Sequence, residues 1–307
     1  MSANYKLVAD RLSRGETIIL DGGTGTDIQR RGAPMSGETW CAEANLTHPE
    51  IVKAVHQDYI SAGADVITAN TFASSALVFN NLGRDHELSM VDNAAVRLAK
   101  EAASGSMVAV AGSMSTMRPM SLGSDRNDLS LGWTEAEARQ LFRNKARILK
   151  DAGIDFIMME LMRDTDYAVW ACESALETGL PVWIGVSTER DTAGTLRGWG
   201  RADCRFEDIV AALAALKPDA MSVMHSSPND TDEAIAVLKQ YWTGPIGTYP
   251  ECGYFQSPDW LFVDVISPEG LLDKSRDWRR LGASIFGGCC GIGPDHIAVL
   301  AEELRSL

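Results

Sequence analysis

No segment of the 307-residue chain is apolar for anything near the length needed to cross a bilayer, and the opening Met1-Ser2-Ala3-Asn4-Tyr5-Lys6 lacks the apolar core of a signal peptide. A cytoplasmic protein with no membrane partner is therefore expected. Basic runs and arginine stripes are also missing. The formal net charge is -14, and a surface of that sign repels phosphates, which argues against nucleic acid as a partner. An acidic surface is ordinary for a soluble enzyme and says little about substrate. The six cysteines, at 41, 172, 204, 252, 289 and 290, have no framework spacing, so a reducing compartment would keep them as thiols. Linkers, low-complexity segments and charge blocks are absent too. With 45% hydrophobic and 23% charged residues the chain can bury a full core, and nothing in it favours disorder.

What is there is an alternation of short β-branched runs with longer segments of helical period. Strands are predicted at 17–20, 65–69, 107–111, 155–159, 182–186, 220–224, 245–249 and 283–286. Eight strands alternating with helices predict an α/β fold, a single (β/α)8 TIM barrel with residues 1–307 as one domain, rather than a doubly wound sheet. Thr134 and Glu137 have capping-box spacing, and apolar residues then recur at intervals of three and four up to Gly153, which ends the helix. Gly63, Gly179, Pro218 and Gly282 punctuate the chain just ahead of strands, so the αβ loops are short. The βα loops after strands one, three and seven are long, and a barrel carries its active site on that face.

The residues just past the predicted strands are Asp21 with Gly22 and Gly23, Asn70, Glu160, Ser187 with Thr188, His225, Glu251, and Cys289 with Cys290. A barrel brings them to one mouth. Taken singly, Asp21 or Asn70 could serve a turn through its own backbone, whereas Glu160, beside Ile157-Met158-Met159, needs a partner. Adjacent residues on a strand point to opposite faces, so Cys289 and Cys290 reach one ion only if the backbone bends, which Gly287, Gly288 and Gly291 permit. Two thiolates suit a soft or borderline ion, zinc being the commonest; the bland alternative is two small thiols buried under a turn. Gly22-Gly23-Thr24-Gly25-Thr26 lacks the lysine of a phosphate-binding loop, and its N–H groups suit a substrate carboxylate better.

Leu20-Asp21-Gly22-Gly23-Thr24-Gly25-Thr26-Asp27, Gly63-Ala64-Asp65-Val66-Ile67-Thr68-Ala69-Asn70-Thr71-Phe72, Glu160, Tyr249-Pro250, and Gly287-Gly288-Cys289-Cys290-Gly291 with Pro294-Asp295-His296-Ile297 resemble the zinc-dependent homocysteine S-methyltransferase family. The resemblance implies a (β/α)8 barrel that moves a methyl group from a small sulfonium or ammonium donor, S-methylmethionine-like for a chain this compact, to the thiol of homocysteine, giving methionine. It further implies Zn2+ on Cys289 and Cys290, the amino group of homocysteine on Asp21 and Glu160, and its carboxylate at the backbone of Gly22 and Gly23. Asn70 and Glu251 complete the expected substrate contacts. A homo-oligomer is compatible with all of this.

Three departures from the family pattern bear on chemistry. His225, in Ser222-Val223-Met224-His225-Ser226-Ser227-Pro228, stands where the third zinc-binding cysteine is usual. Imidazole is a good zinc ligand, so the expected metal set is His225, Cys289 and Cys290, with one negative charge fewer around the ion. The competing readings are that His225 meets a different substrate, or that zinc has been lost. The loop Gly112-Ser113-Met114-Ser115-Thr116-Met117-Arg118-Pro119 lacks a usual Gly-Pro, and Glu251-Cys252 replaces a usual Asn-Ser. Glu251 could meet a cationic donor, Tyr249, Trp40 or Phe255 could offer it a ring face, and Cys252 could supply a thiolate. Two alternatives stay open: a methyltransferase of the same fold with another acceptor or donor, one linked to a corrinoid protein included, and a non-catalytic barrel that binds an amino acid.

Overall fold

The computed structural model describes residues 2–121 and 126–305. Eight parallel strands form one sheet: β1 (Ile18–Ile19), β2 (Val66–Ala69), β3 (Ala109–Ser115), β4 (Phe156–Met162), β5 (Val182–Val186), β6 (Ala220–Met224), β7 (Ile246–Tyr249) and β8 (Ile285–Phe286). Each pairs with the next, β8 pairs with β1, and a bridge from Leu20 to Val66 joins β1 to β2, so the sheet closes on itself as a TIM barrel. Among the described residues no helix is long and apolar enough to cross a membrane.

Local chemistry sets the register. Asp65, Asp155 and Asp219 each stand one residue ahead of an even-numbered strand. Each carboxylate accepts an N–H from the strand before it, from Ile19 at 2.9 Å, Val110 at 2.7 Å and Val182 at 2.9 Å. The same device thus staples β1 to β2, β3 to β4 and β5 to β6 at their N-terminal ends. Helix Glu135–Ala152 begins with the expected Thr134–Glu137 capping box and ends at Gly153, whose φ of 87° is left-handed. The end of the barrel away from the long loops is plugged by helix Ala3–Ser13, which the sequence pattern did not reveal. Its Tyr5 packs on Phe156 and Trp183 and receives the Trp183 indole N–H at 3.0 Å.

Two strands run further than expected. β3 continues through Gly112-Ser113-Met114-Ser115, a stretch of low β propensity that nevertheless pairs residue for residue with β4, Ser113 opposite Met158 and Ser115 opposite Glu160. Glu160 therefore sits inside β4, ahead of a register break at Leu161, whose φ is 59°. Beyond β5 and β7 the chain forms small antiparallel sheets, Thr188–Arg190 with Leu196–Gly198 and Arg201–Arg205, and Tyr254–Gln256 with Asp259–Leu261. The loop after β3 includes residues 122–125, which lie outside the described residues.

Candidate active site

At the C-terminal ends of the strands a cavity of about 370 Å³ opens, lined by Asp21, Glu160, His225, Glu251, Cys289 and Cys290 among others. That volume is in the range of small-molecule sites. Asp21, just past β1, is buried and fixed from β2: the Thr68 N–H donates to one oxygen at 2.7 Å and the Thr68 hydroxyl to the other at 3.2 Å. Burial outweighs those hydrogen bonds and pushes the Asp21 carboxyl up to about 7. Glu160 accepts from the Ser113 hydroxyl, and burial, reinforced by negative charge on Cys289, pushes it up to about 8. Neither acid has a lysine or arginine partner among the described residues.

Across the cavity Cys289 Sγ lies 4.0 Å from Cys290 Sγ and 3.5 Å from His225 Nδ1, and the three ligand atoms fall within 4.8 Å of one another. The backbone bend that turns both thiols to one point depends on glycine. A Cβ on Gly288 would come within 2.2 Å of Ile292, and one on Gly291, at φ 83°, within 2.0 Å of the Cys252 carbonyl. The imidazole, longer than a cysteine side chain, is accommodated by a left-handed backbone: φ at His225 is 42°, a conformation costly for a non-glycine residue and worth keeping where function demands it. A hydrogen bond from the Cys290 thiol, helped by the charge of His225, lowers Cys289, and the same bond with burial raises Cys290. Burial opposes a proton on His225, but the charges of Glu251 and Cys289 overcome it and raise the ring to about 10. Ligating a cation here would therefore release that proton.

Several expected contacts are already spent within the protein. The Gly23 N–H donates to the Ile292 carbonyl at 2.9 Å, so Gly23 offers no donor to a substrate carboxylate. No described residue accepts from the N–H groups of Gly22, Thr24 or Gly25, which open the helix Thr24–Arg30 beside the cavity. The Asn70 side chain is likewise occupied, donating to the Cys41 carbonyl at 3.0 Å and Asn45 Oδ1 at 2.9 Å and accepting from the Cys41 thiol. It fastens the loop that carries Trp40 to β2. Glu251 lines the cavity with its Oε2 2.8 Å from His225 Nδ1, an ion-pair contact outside hydrogen-bond alignment. Cys252 is not part of the thiol and imidazole cluster.

Residues that strand-end reasoning missed are Thr68 and Ser113, which orient the two acids, and Trp199 and Trp260, whose rings lie 5.0 and 6.2 Å from the His225 ring. Thr68 could have been found as the one polar residue in the run Val66-Ile67-Thr68-Ala69. The indoles arrive on the small antiparallel sheets, for which no strand was expected.

A closed barrel with two thiols, an imidazole and two unpaired acids around one cavity defines a barrel enzyme with a thiol-rich centre. The sequence model of the homocysteine S-methyltransferase family matches residues 18–304. Betaine–homocysteine S-methyltransferase 1 of Mus musculus is 27% identical over 97% of this chain and 75% of its own length, and homocysteine S-methyltransferase 4 of Zea mays is 26% identical over 95% and 90%. The metallated crystal form of the homocysteine methyltransferase MmuM from Escherichia coli superimposes with a TM-score of 0.76, at 22% identity over 97% of this chain and 99% of that one, a likeness of fold. The chain belongs to the homocysteine S-methyltransferase family, and it is a methyltransferase.

Proposed function

We propose that this enzyme moves a methyl group from a small onium compound, S-methylmethionine-like in the first instance, to the thiol of homocysteine, with a zinc ion held by His225, Cys289 and Cys290. One observation carries the reading. Two carboxylates without a cationic partner among the described residues, buried Asp21 and partly buried Glu160, share a cavity with the thiol and imidazole cluster. An ammonium group between the acids supplies the charge that burial denies them, and it leaves a short side chain ending in sulfur to reach the cluster. The substrate carboxylate then falls to the open N–H groups of Gly22, Thr24 and Gly25, not to Gly23.

The donor set fits zinc. Thiolates at about 2.3 Å and an imidazole nitrogen at about 2.0 Å in tetrahedral array lie about 3.8 Å (S to S) and about 3.5 Å (S to N) apart, beside 4.0 and 3.5 Å here. Bound there, zinc would supply the positive charge that favours a thiolate over a thiol at neutral pH. The residues do the rest. Asp21 and Glu160 hold the ammonium group, and Gly22, Thr24 and Gly25 hold the carboxylate. The rings of Trp40, Phe72, Phe255 and Trp260 line the cavity and suit a methylated cation. The acceptor sulfur gives up its proton and donates an electron pair to the methyl carbon. The bond to the onium atom breaks, its pair staying on the leaving sulfide or amine.

The test pairs zinc stoichiometry of wild type and His225→Ala with homocysteine-dependent demethylation of S-methylmethionine, a simple sulfonium and a betaine. About one zinc per chain, lost with His225, together with turnover of an onium donor, is expected. Zinc-free wild type, or no turnover with any donor, would refute the reading.

A further inference from the structure

Tyr249 closes β7 with its side chain turned into the barrel, where it joins the inner apolar cluster of Phe156, Met158, Trp183 and Met224. Tyr249 pairs with Met224, and its phenol crosses β6 to end over Gly185 of β5, where an added Cβ would collide with both the phenol oxygen and the Met224 side chain. Glycine at 185 is what leaves room for the ring. The pairing of Ile184 with Met159 makes Gly185 and Glu160 the next residues along neighbouring strands, so the hydroxyl lies beside the strand that carries Glu160. Tyr249 is 3% exposed and lines the cavity, yet its oxygen has no hydrogen-bond partner among the described residues. A buried hydroxyl without a partner is costly to keep, and a bound ligand is one way to satisfy it.

We infer that the Tyr249 hydroxyl is the third contact for the amino group of the acceptor, completing with Asp21 and Glu160 a three-point site that selects a primary ammonium group. The inference rests on the acceptor pocket proposed above. The ammonium group of an amino acid carries three N–H donors. Two carboxylates take up two, and the third must meet another oxygen or be buried unpaired. Other unpartnered side chains at the cavity do not fill this place. The Trp40 indole N–H only donates, Thr24 stands among the N–H groups assigned to the substrate carboxylate, and Glu251 faces His225. Burial, and after it the charges of Glu160, Cys289 and Asp21, keep the phenol protonated, so it offers a neutral oxygen rather than a third anion. For its own proton the Glu160 oxygen that Ser113 does not hold remains open, since no described residue donates to it.

Steady-state kinetics are measured with homocysteine and with N-methylhomocysteine for wild type and Tyr249→Phe, with thermal midpoints of the ligand-free proteins alongside. N-methylhomocysteine keeps the charge and two N–H donors, so both acids can still be satisfied while a methyl group takes the third place. Tyr249→Phe should raise the KM for homocysteine roughly 10-fold, the lower end for a hydrogen bond to a charged group, and leave kcat within about twofold. By kcat/KM, wild type should prefer homocysteine over N-methylhomocysteine roughly 10-fold, and the variant should lose that preference because the contact is already gone. The ligand-free variant should melt no lower than wild type, since it loses only an unpartnered hydroxyl. An unchanged KM for homocysteine overturns the inference and leaves the pocket of Asp21 and Glu160 standing. A raised KM with the preference intact, or with a lowered midpoint, overturns it in favour of a role elsewhere on the substrate or in the fold. Wild type that turns over no homocysteine removes the acceptor reading and this inference together.

Discussion

Thr68 donates both its N–H and its hydroxyl to the two oxygens of Asp21, at 2.7 and 3.2 Å, so the carboxylate is aimed into the cavity before any ligand arrives. Ser113 does the same for Glu160 with one hydroxyl. These acids are thus preorganised at the cost of burial, which raises both toward neutrality. Asp21→Asn and Glu160→Gln keep shape and the accepting oxygen and remove only charge. Each should raise the KM for homocysteine about 10- to 150-fold, the worth of a hydrogen bond to a charged group. Zinc content should stay at the wild-type level. Steady-state kinetics with elemental analysis checks both; an unchanged KM would place the ammonium group elsewhere.

Donor recognition separates from acceptor recognition at the cavity mouth. Phe255 and Trp40 meet edge to face, ring centroids 6.3 Å apart at 88°, and both line the cavity. Trp40 also lies over Gly25, where a Cβ would meet it at 2.7 Å, so changing it disturbs the acceptor side. Phe255 does not share that contact. Phe255→Leu keeps bulk and removes the π face, and should raise the KM of the onium donor about 2- to 30-fold, equivalent to a cation–π contact of about 0.5–2 kcal/mol. The KM for homocysteine at saturating donor should move less than twofold. Initial rates over both substrates read the two effects separately.

Residues lining the cavity were legible in sequence where a strand end alone places them: Asp21 and His225 directly follow predicted strands, and Glu251, Cys289 and Cys290 come just beyond, with Pro250 or Gly287-Gly288 between. Strands 182–186 and 220–224 were readable to the residue because valine, isoleucine and methionine fill them and Gly179 and Pro218 punctuate them. The rest depended on partners that no local pattern shows. Gly23 and Asn70 looked free because the Ile292 carbonyl and the Cys41–Asn45 loop reach them from far along the chain. Ser113 read as loop because serine and glycine are poor strand formers, yet the neighbouring strand imposes pairing on it.

Asn70 yields a prediction opposite in kind to that for Asp21. Its amide is shared among Cys41 and Asn45, and Asn70→Ala leaves Asn45 Oδ1 buried without its donor and the Cys41 thiol without its acceptor, while the Cys41 carbonyl keeps the Ala44 N–H. Unfolding in urea should show a loss of about 2–4 kcal/mol, the cost of orphaning buried polar groups. Well below both unfolding midpoints, the KM for homocysteine should change less than in Asp21→Asn. A larger KM effect than stability effect would restore Asn70 as a direct substrate contact.

His56 makes stability depend on pH by a route that leaves the active site alone. It lies in helix Pro49–Ser61, fully buried, and neither ring nitrogen has a hydrogen-bond partner. Burial alone lowers its pKa from 6.5 to about 4. The folded chain therefore holds His56 neutral between those values while the unfolded chain takes up a proton. The unfolded state binds more protons in that window, so stability is fully present above pH 6.5 and is lost as pH falls toward 4, by roughly 3 kcal/mol at most. His56→Leu removes this proton uptake and the unpartnered nitrogens together. The difference in unfolding free energy between variant and wild type, measured in urea at several pH values, should grow in the variant's favour from pH 6.5 to pH 4.5 and be flat from pH 7 to pH 8. Other titrating groups are common to both proteins and cancel in that difference. A difference independent of pH would mean that His56 takes up its proton within the fold as readily as in water, which an apolar burial without a partner does not allow.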